Sequence, residues 1–161
     1  MKKVLKIAAW GIGISLVAVS AFTLYWYQWR EVNLRPYVDA GMEESSGWTA
    51  LHPSYLEVTT GGYAYSVTFP FLWEFGGNLA VAFPFEEGGH GLIIWPDHNG
   101  NYEVGVILVD ENQMIHHIYL DESGNAVESG QYEIVEQYRH VVDELLNRAN
   151  LRWNLQLGKA N

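Results

Sequence analysis

Between Lys6 and Arg30 the chain runs for 23 residues without a charge, IAAWGIGISLVAVSAFTLYWYQW. An α-helix rises 1.5 Å per residue, so about 20 apolar residues cover the hydrocarbon of a bilayer. The run has no polar face, which argues against a helix packed on a soluble core. Lys2, Lys3 and Lys6 precede it, and Tyr25, Trp26, Tyr27 and Trp29 close it. Basic residues favour the cytoplasmic side, and aromatic rings collect at the membrane–water interface. The pattern predicts a signal-anchor over 1–30, single-pass in the cell membrane, with a cytoplasmic N-terminus and an extracytoplasmic C-terminal domain. A cleaved signal peptide is the competing reading. Small residues at Val19-Ser20-Ala21 would supply the cutting site, leaving a secreted or periplasmic protein.

Beyond the anchor the chain is strongly acidic. The whole sequence carries 19 Asp and Glu against nine Lys and Arg. All 19 acids lie beyond Arg30, together with only Arg35, Arg139, Arg148, Arg152 and Lys159, a net −14. Between Pro36 and Tyr138 there is no Lys or Arg. Such a field repels nucleic acid, whose phosphates need clustered cations, and draws basic partners. The chain has no cysteine, which excludes disulfides, thiol catalysis and cysteine metal sites.

Residues 31–47, EVNLRPYVDAGMEESSG, show no periodicity and read as a tether. From 48 to 161 the pattern is α+β. Period-two alternation places Tyr63, Tyr65, Val67 and Phe69 on one strand face, and Leu79, Val81, Phe83 and Phe85 on another. Further strands are expected at 55–60, 90–95, 102–109 and 114–120, separated by turn residues. This describes an antiparallel meander of about six strands. One C-terminal helix, about Gln131 to Leu155, is expected to lay Val135, Tyr138, Val142, Leu145 and Ala149 on the sheet, with Ser129 as its cap.

A motif recurs within the meander: FPFLWEFGG from Phe69 and FPFEEGG from Phe83. It is either an exposed aromatic surface or a pair of bulged hairpins with inward rings. Large rings ordinarily fill cores, so inward packing is the expectation.

Three sets of residues carry candidate chemistry. WPDHNGNYE from Trp95 and LDESGNAVE from Leu120 share Asp-x-x-Gly-Asn. Neither fits an EF-hand loop, because positions six and twelve hold Tyr102 and Leu108, or Ala126 and Tyr132. Both fit hairpin corners. In a meander these two corners emerge at one end of the sheet, about 10 Å apart. Asp97, Asn99, Asp121 and Glu122 would then form an acidic rim for a basic partner or weakly held calcium. On the helix, Glu136, His140 and Glu144 are spaced i, i+4, i+8 and could ligate zinc or iron. His116 and His117 point to opposite strand faces. A two-residue turn at Glu111-Asn112 would set His117 opposite Val106, as a core histidine. GGHG at 88–91 lacks the lysine and the helix of a phosphate loop.

The sequence contains no catalytic constellation and implies no cofactor. It points to a membrane-tethered acidic binding domain of inhibitor or immunity type, capturing a basic protein in the envelope. The alternative is a structural subunit of an envelope or secretion complex, with Ala9-x-x-x-Gly13 and Gly11-x-x-x-Ser15 supporting helix packing. A hydrolase built on carboxylates ranks third.

Overall fold

Alternating burial along short strands, joined in sequence order, produces the architecture. The computed structural model describes residues 2–45, 51–83, 89–97 and 101–159. Helix α1 spans Lys2–Leu34 and a 3₁₀ turn succeeds it at Arg35–Tyr37. The strands are β1 (Glu43–Glu44), β2 (Ser54–Val58), β3 (Ala64–Thr68), β4 (Asn78–Ala82), β5 (Gly91–Pro96), β6 (Tyr102–Val109) and β7 (Ile115–Leu120). They form one seven-stranded antiparallel sheet in the order β1-β2-β3-β4-β5-β6-β7. Helices α2 (Tyr132–Gln137) and α3 (Arg139–Trp153) cover one face. The molecule is α+β: one apolar helix long enough to span a membrane, an open antiparallel sheet, and C-terminal helices.

The inward set is the one alternation predicts. Tyr65, Val67, Leu79, Val81, Leu92, Ile94, Val104, Val106, Leu108, Ile118 and Leu120 are buried beneath Val135, Val142, Leu145, Leu146, Ala149 and Trp153. Each fully buried aliphatic side chain contributes roughly 1.5–3 kcal/mol. The outward face carries a patch of small residues. Ala64, Ser66, Ala80, Ala82, Gly91 and Gly105 lie in adjacent register rows. Trp95 lies over Gly105, where a Cβ would come within 3.0 Å of its ring.

Several expectations give way. Of the stretch read as a tether, residues 31–45 are built into the domain, while 46 and 47 lie outside the described residues. α1 continues unbroken to Leu34, which is buried with Met42 in the core, and Glu43–Glu44 pairs with β2 as a seventh strand. Isolated apolar residues without periodicity left no signal there. The single C-terminal helix is two, broken at Tyr138, where φ is −105° and ψ 21°. Ser129 is not the cap: it opens a 3₁₀ turn, and Gln131 stands at the N-cap of α2 without a side-chain capping bond. α3 ends at Asn154 in the left-handed conformation. Asn150 then holds the tail through both the N–H and the carbonyl of Leu157, which seats Leu155 and Leu157 in the core.

The β6–β7 corner is one residue longer than predicted. Asp110 and Met114 close a loop in which Gln113 takes φ 62°. His117 therefore pairs with Ile107 rather than Val106 and faces solvent, while Ile118 takes the core position. A one-residue register shift exchanges the two faces of a strand.

Gly77 marks where α1 meets the sheet. A Cβ there would sit 2.5 Å from Leu34 Cδ1 and 2.7 Å from the Thr68 carbonyl. Overpacking of this kind costs typically 1–3 kcal/mol. Gly77→Ala is expected to lower the melting temperature of the purified protein in detergent, and the loss in a Gly77→Ala/Leu34→Ala double variant should be smaller than the sum of the two single losses, because the Leu34 clash is absent there.

Candidate functional site

The membrane helix and the domain meet along one stripe. Trp26, Arg30 and Leu34 recur at four-residue spacing and face the domain, with 3%, 4% and 1% of their surface exposed. Trp26 Nε1 donates to the Glu74 carbonyl at 2.8 Å. The Arg30 guanidinium lies 4.7 Å from the Trp26 ring centre, 4.6 Å from Tyr27 and 5.9 Å from Phe69. Rings around a cation replace part of its hydration, which lets it be buried here. Of the four residues assigned to the interface, Tyr25 and Tyr27 are exposed and Trp29 half-buried. Trp26 instead faces the domain, because its indole N–H finds a partner there.

The loop between β3 and β4 is the other half of this junction. Phe69 is buried, as inward packing predicted, but Phe71, Trp73 and Phe75 point outward. Phe75 packs on Phe22, Tyr25 and Trp29, with ring centres 6.0, 6.0 and 5.1 Å away. The sequence-level expectation for these three rings is thus reversed. Trp73 and Phe75 pack on an aromatic stripe of α1 about fifty residues upstream, which strand patterning cannot reveal, and Phe71 packs against His52. The second FPF copy runs into 84–88, which lie outside the described residues.

The corners obey one rule. Asp97 accepts from Asn101 N at 2.9 Å and Asn101 Nδ2 at 3.1 Å. Asp121 accepts from Ser123 N and Asn125 N, both at 2.9 Å. Asp110 accepts from Asn112 N at 2.8 Å and Met114 N at 2.9 Å, with His116 Nε2 3.0 Å away. His116 and these main-chain donors hold the Asp110 carboxyl below the usual carboxylate range. Each aspartate carboxylate thus serves its own turn. β5, β6 and β7 are consecutive neighbours, so the corners after β5 and β7 share one end of the sheet. That end is also where α1 and the aromatic loop lie. Asp97 and Glu103 line a groove of about 810 Å³ with Phe22, Tyr25, Trp29, Phe75, Trp95 and Tyr119. Asp121 instead borders a smaller pocket with Glu136 and Arg139. Asn99 lies outside the described residues, and Glu122 is exposed.

The helical triad is divided. Glu136 is on α2 and pairs with Arg139 at 2.5 Å, while Arg139 also donates to the Gly124 carbonyl at 2.7 Å and Asn125 Oδ1 at 3.0 Å. Glu144 pairs with Arg148 at 2.6 Å, and His140 is exposed. The break at Tyr138 removes the continuous i, i+4, i+8 spacing. Among the described residues no group of three or more His, Asp or Glu is arranged to hold a metal.

Arg35, Arg148 and Arg152 are also engaged internally. Arg35 bonds Glu31 at 2.9 Å, and Arg152 pairs with Asp39 at 2.6 Å and with Glu57. Arg148 further stacks on Tyr63 at 3.4 Å. Glu43, Glu44, Glu103, Glu111, Glu122, Glu128, Glu133 and Asp143 are exposed.

No family model, curated protein or solved structure matches the chain. Fold and junction define a membrane-anchored protein with a β-rich C-terminal domain.

His90, in the GGHG segment, is a buried structural histidine. Its Nδ1 accepts the Val109 N–H at 3.1 Å, and its ring rests against Phe83 and Tyr138. Burial, reinforced by nearby His140, lowers its pKa from the ordinary 6.5. The folded state thus binds this proton less readily than the unfolded chain. Stability from this site is complete above about pH 6.5 and falls on acidification. His90→Gln keeps an acceptor for Val109 but does not titrate. Its melting temperature should fall less than wild type's between neutral pH and mildly acidic pH, as monitored by circular dichroism.

Proposed function

We propose that this protein is a membrane-tethered, extracytoplasmic binding domain that captures a basic protein at the membrane surface, in the manner of an inhibitor or immunity protein. One observation carries the reading: the chain beyond Arg30 has a net charge of −14, and its arginines are committed to internal ion pairs. The carboxylates left at the surface set the field that a partner meets. Complementary charge speeds encounter and makes it salt-dependent. The acidic end bearing Asp97, Glu103, Asp121 and Glu122 is the favoured docking edge, because the corners after β5 and β7 gather these carboxylates at one end of the sheet.

The test uses full-length protein in nanodiscs as bait for envelope extract. A specific basic partner should be retained at low salt and released at high salt. It should bind at least about ten-fold more weakly to a Glu103→Gln/Glu122→Gln variant, equivalent to about 1.4 kcal/mol. A partner indifferent to both changes would overturn the reading.

The structural-subunit alternative is separated by exchanging only residues 7–21 for an unrelated apolar sequence. Phe22 onward must be kept because that part of α1 packs on the domain. Capture of the basic partner should survive the exchange. If the protein instead holds its place in a complex through helix packing, co-purification is lost.

A further inference from the structure

The loop at 70–77 presents three large apolar side chains, Phe71, Trp73 and Phe75, with 47%, 46% and 47% of their surface exposed. It carries no basic residue, and its single charge is the exposed Glu74. Trp73 has φ 66°, a left-handed backbone unusual for a bulky residue, and its Nε1 donates to Thr23 Oγ1 at 3.0 Å. Thr23 belongs to the uncharged run of α1. At 1.5 Å per residue it stands about 26 Å along the helix axis from Lys6, compared with about 30 Å for a hydrocarbon core. With Lys6 at one membrane boundary, Trp73 comes level with the other, where indoles partition.

We propose that the 70–77 loop is a second membrane contact: an aromatic finger that places Phe71 and Trp73 in the headgroup–acyl boundary, on the domain's side of the bilayer. The occupant of this exposed surface is lipid because the surface is continuous with the membrane helix. Phe22 and Tyr25 of α1 are themselves exposed and touch Phe75. Trp73 also contacts Phe22, with ring centres 6.3 Å apart. Lacking cations, the finger binds by apolar insertion rather than by attraction to anionic headgroups. Glu74 stays at the water edge, where its carbonyl holds Trp26. The inference rests on α1 crossing a bilayer and is independent of what the domain captures.

Because the chain has no cysteine, an environment-sensitive fluorophore can be placed at single introduced thiols. The sites are Phe71→Cys and Trp73→Cys in the finger, Leu24→Cys on the exposed side of α1, and Glu111→Cys at the opposite end of the sheet. The full-length protein is reconstituted in phosphatidylcholine vesicles containing nitroxide-labelled lipid. Leu24 reports insertion of the helix and should be lipid-quenched. Glu111 should be quenched only by aqueous iodide.

The expected result is blue-shifted emission at both finger sites and quenching by nitroxides near the headgroup end of the acyl chain, unchanged at high salt. Iodide quenching at the finger equal to that at Glu111, while Leu24 remains lipid-quenched, would overturn the proposal. So would a finger shielded from iodide but unreached by lipid nitroxide, because a protein surface would then be its cover.

Discussion

The stripe of Trp26, Arg30 and Leu34 makes the membrane helix and the sheet one body. A tryptophan, a cation and a leucine at four-residue spacing cannot all face lipid comfortably. They form a coherent face only if a domain accepts the indole N–H, surrounds the guanidinium with rings and buries the leucine. The β3–β4 loop accepts the indole N–H at Glu74 and adds Phe69 to the Trp26 and Tyr27 rings that α1 itself sets around the guanidinium, and the core buries Leu34. Removal of the helix beyond this point would leave Gly77 facing a void and Phe75 without its ring partners. The helix therefore already meets the domain from Phe22 onward, within its uncharged run.

Charge in the domain is divided between structure and surface. The few arginines occupy places where a carboxylate and a ring converge: Arg148 between Glu144 and Tyr63, Arg152 among Asp39, Glu57 and Tyr65. Arg152 ties the last turn of α3 to the segment entering the sheet, and Arg139 ties α2 to the corner after β7. These partly shielded pairs stitch distant parts of the chain together. The uncompensated acids lie elsewhere and cost compactness through repulsion. An excess of this size serves solubility as well as attraction of basic partners.

The meander was legible because strand alternation and Asx-type corners are local signals, each complete within ten residues. The N-terminal span was legible for the same reason. The features that escaped were set by partners far away in sequence. Leu34 and Met42 had no periodicity to announce them. The outward turn of Trp73 and Phe75 depends on α1, and the extra residue at the β6–β7 corner depends on Gln113 adopting a conformation that glycine usually signals. His117 lost its core assignment through that one residue. The Glu136, His140 and Glu144 set looked contiguous only while the helix was taken as unbroken. The recurring Asp-x-x-Gly-Asn, in contrast, was correctly legible as corner chemistry, and Asp110 extends the same rule to a corner without glycine.

Docking of Trp26 also fixes how much of α1 remains to match a bilayer. From Ile7 to Tyr25 the helix offers 19 residues, about 28 Å of apolar length. A free helix can slide or tilt to suit a thicker or thinner membrane at modest cost. Sliding is blocked here, since the domain stops the helix on one side and Lys6 limits it on the other. Tilt is left, and because the sheet is joined rigidly to the same helix, any tilt rotates the whole β-domain with it. Membrane thickness is thereby converted into the angle at which the acidic edge meets its surroundings.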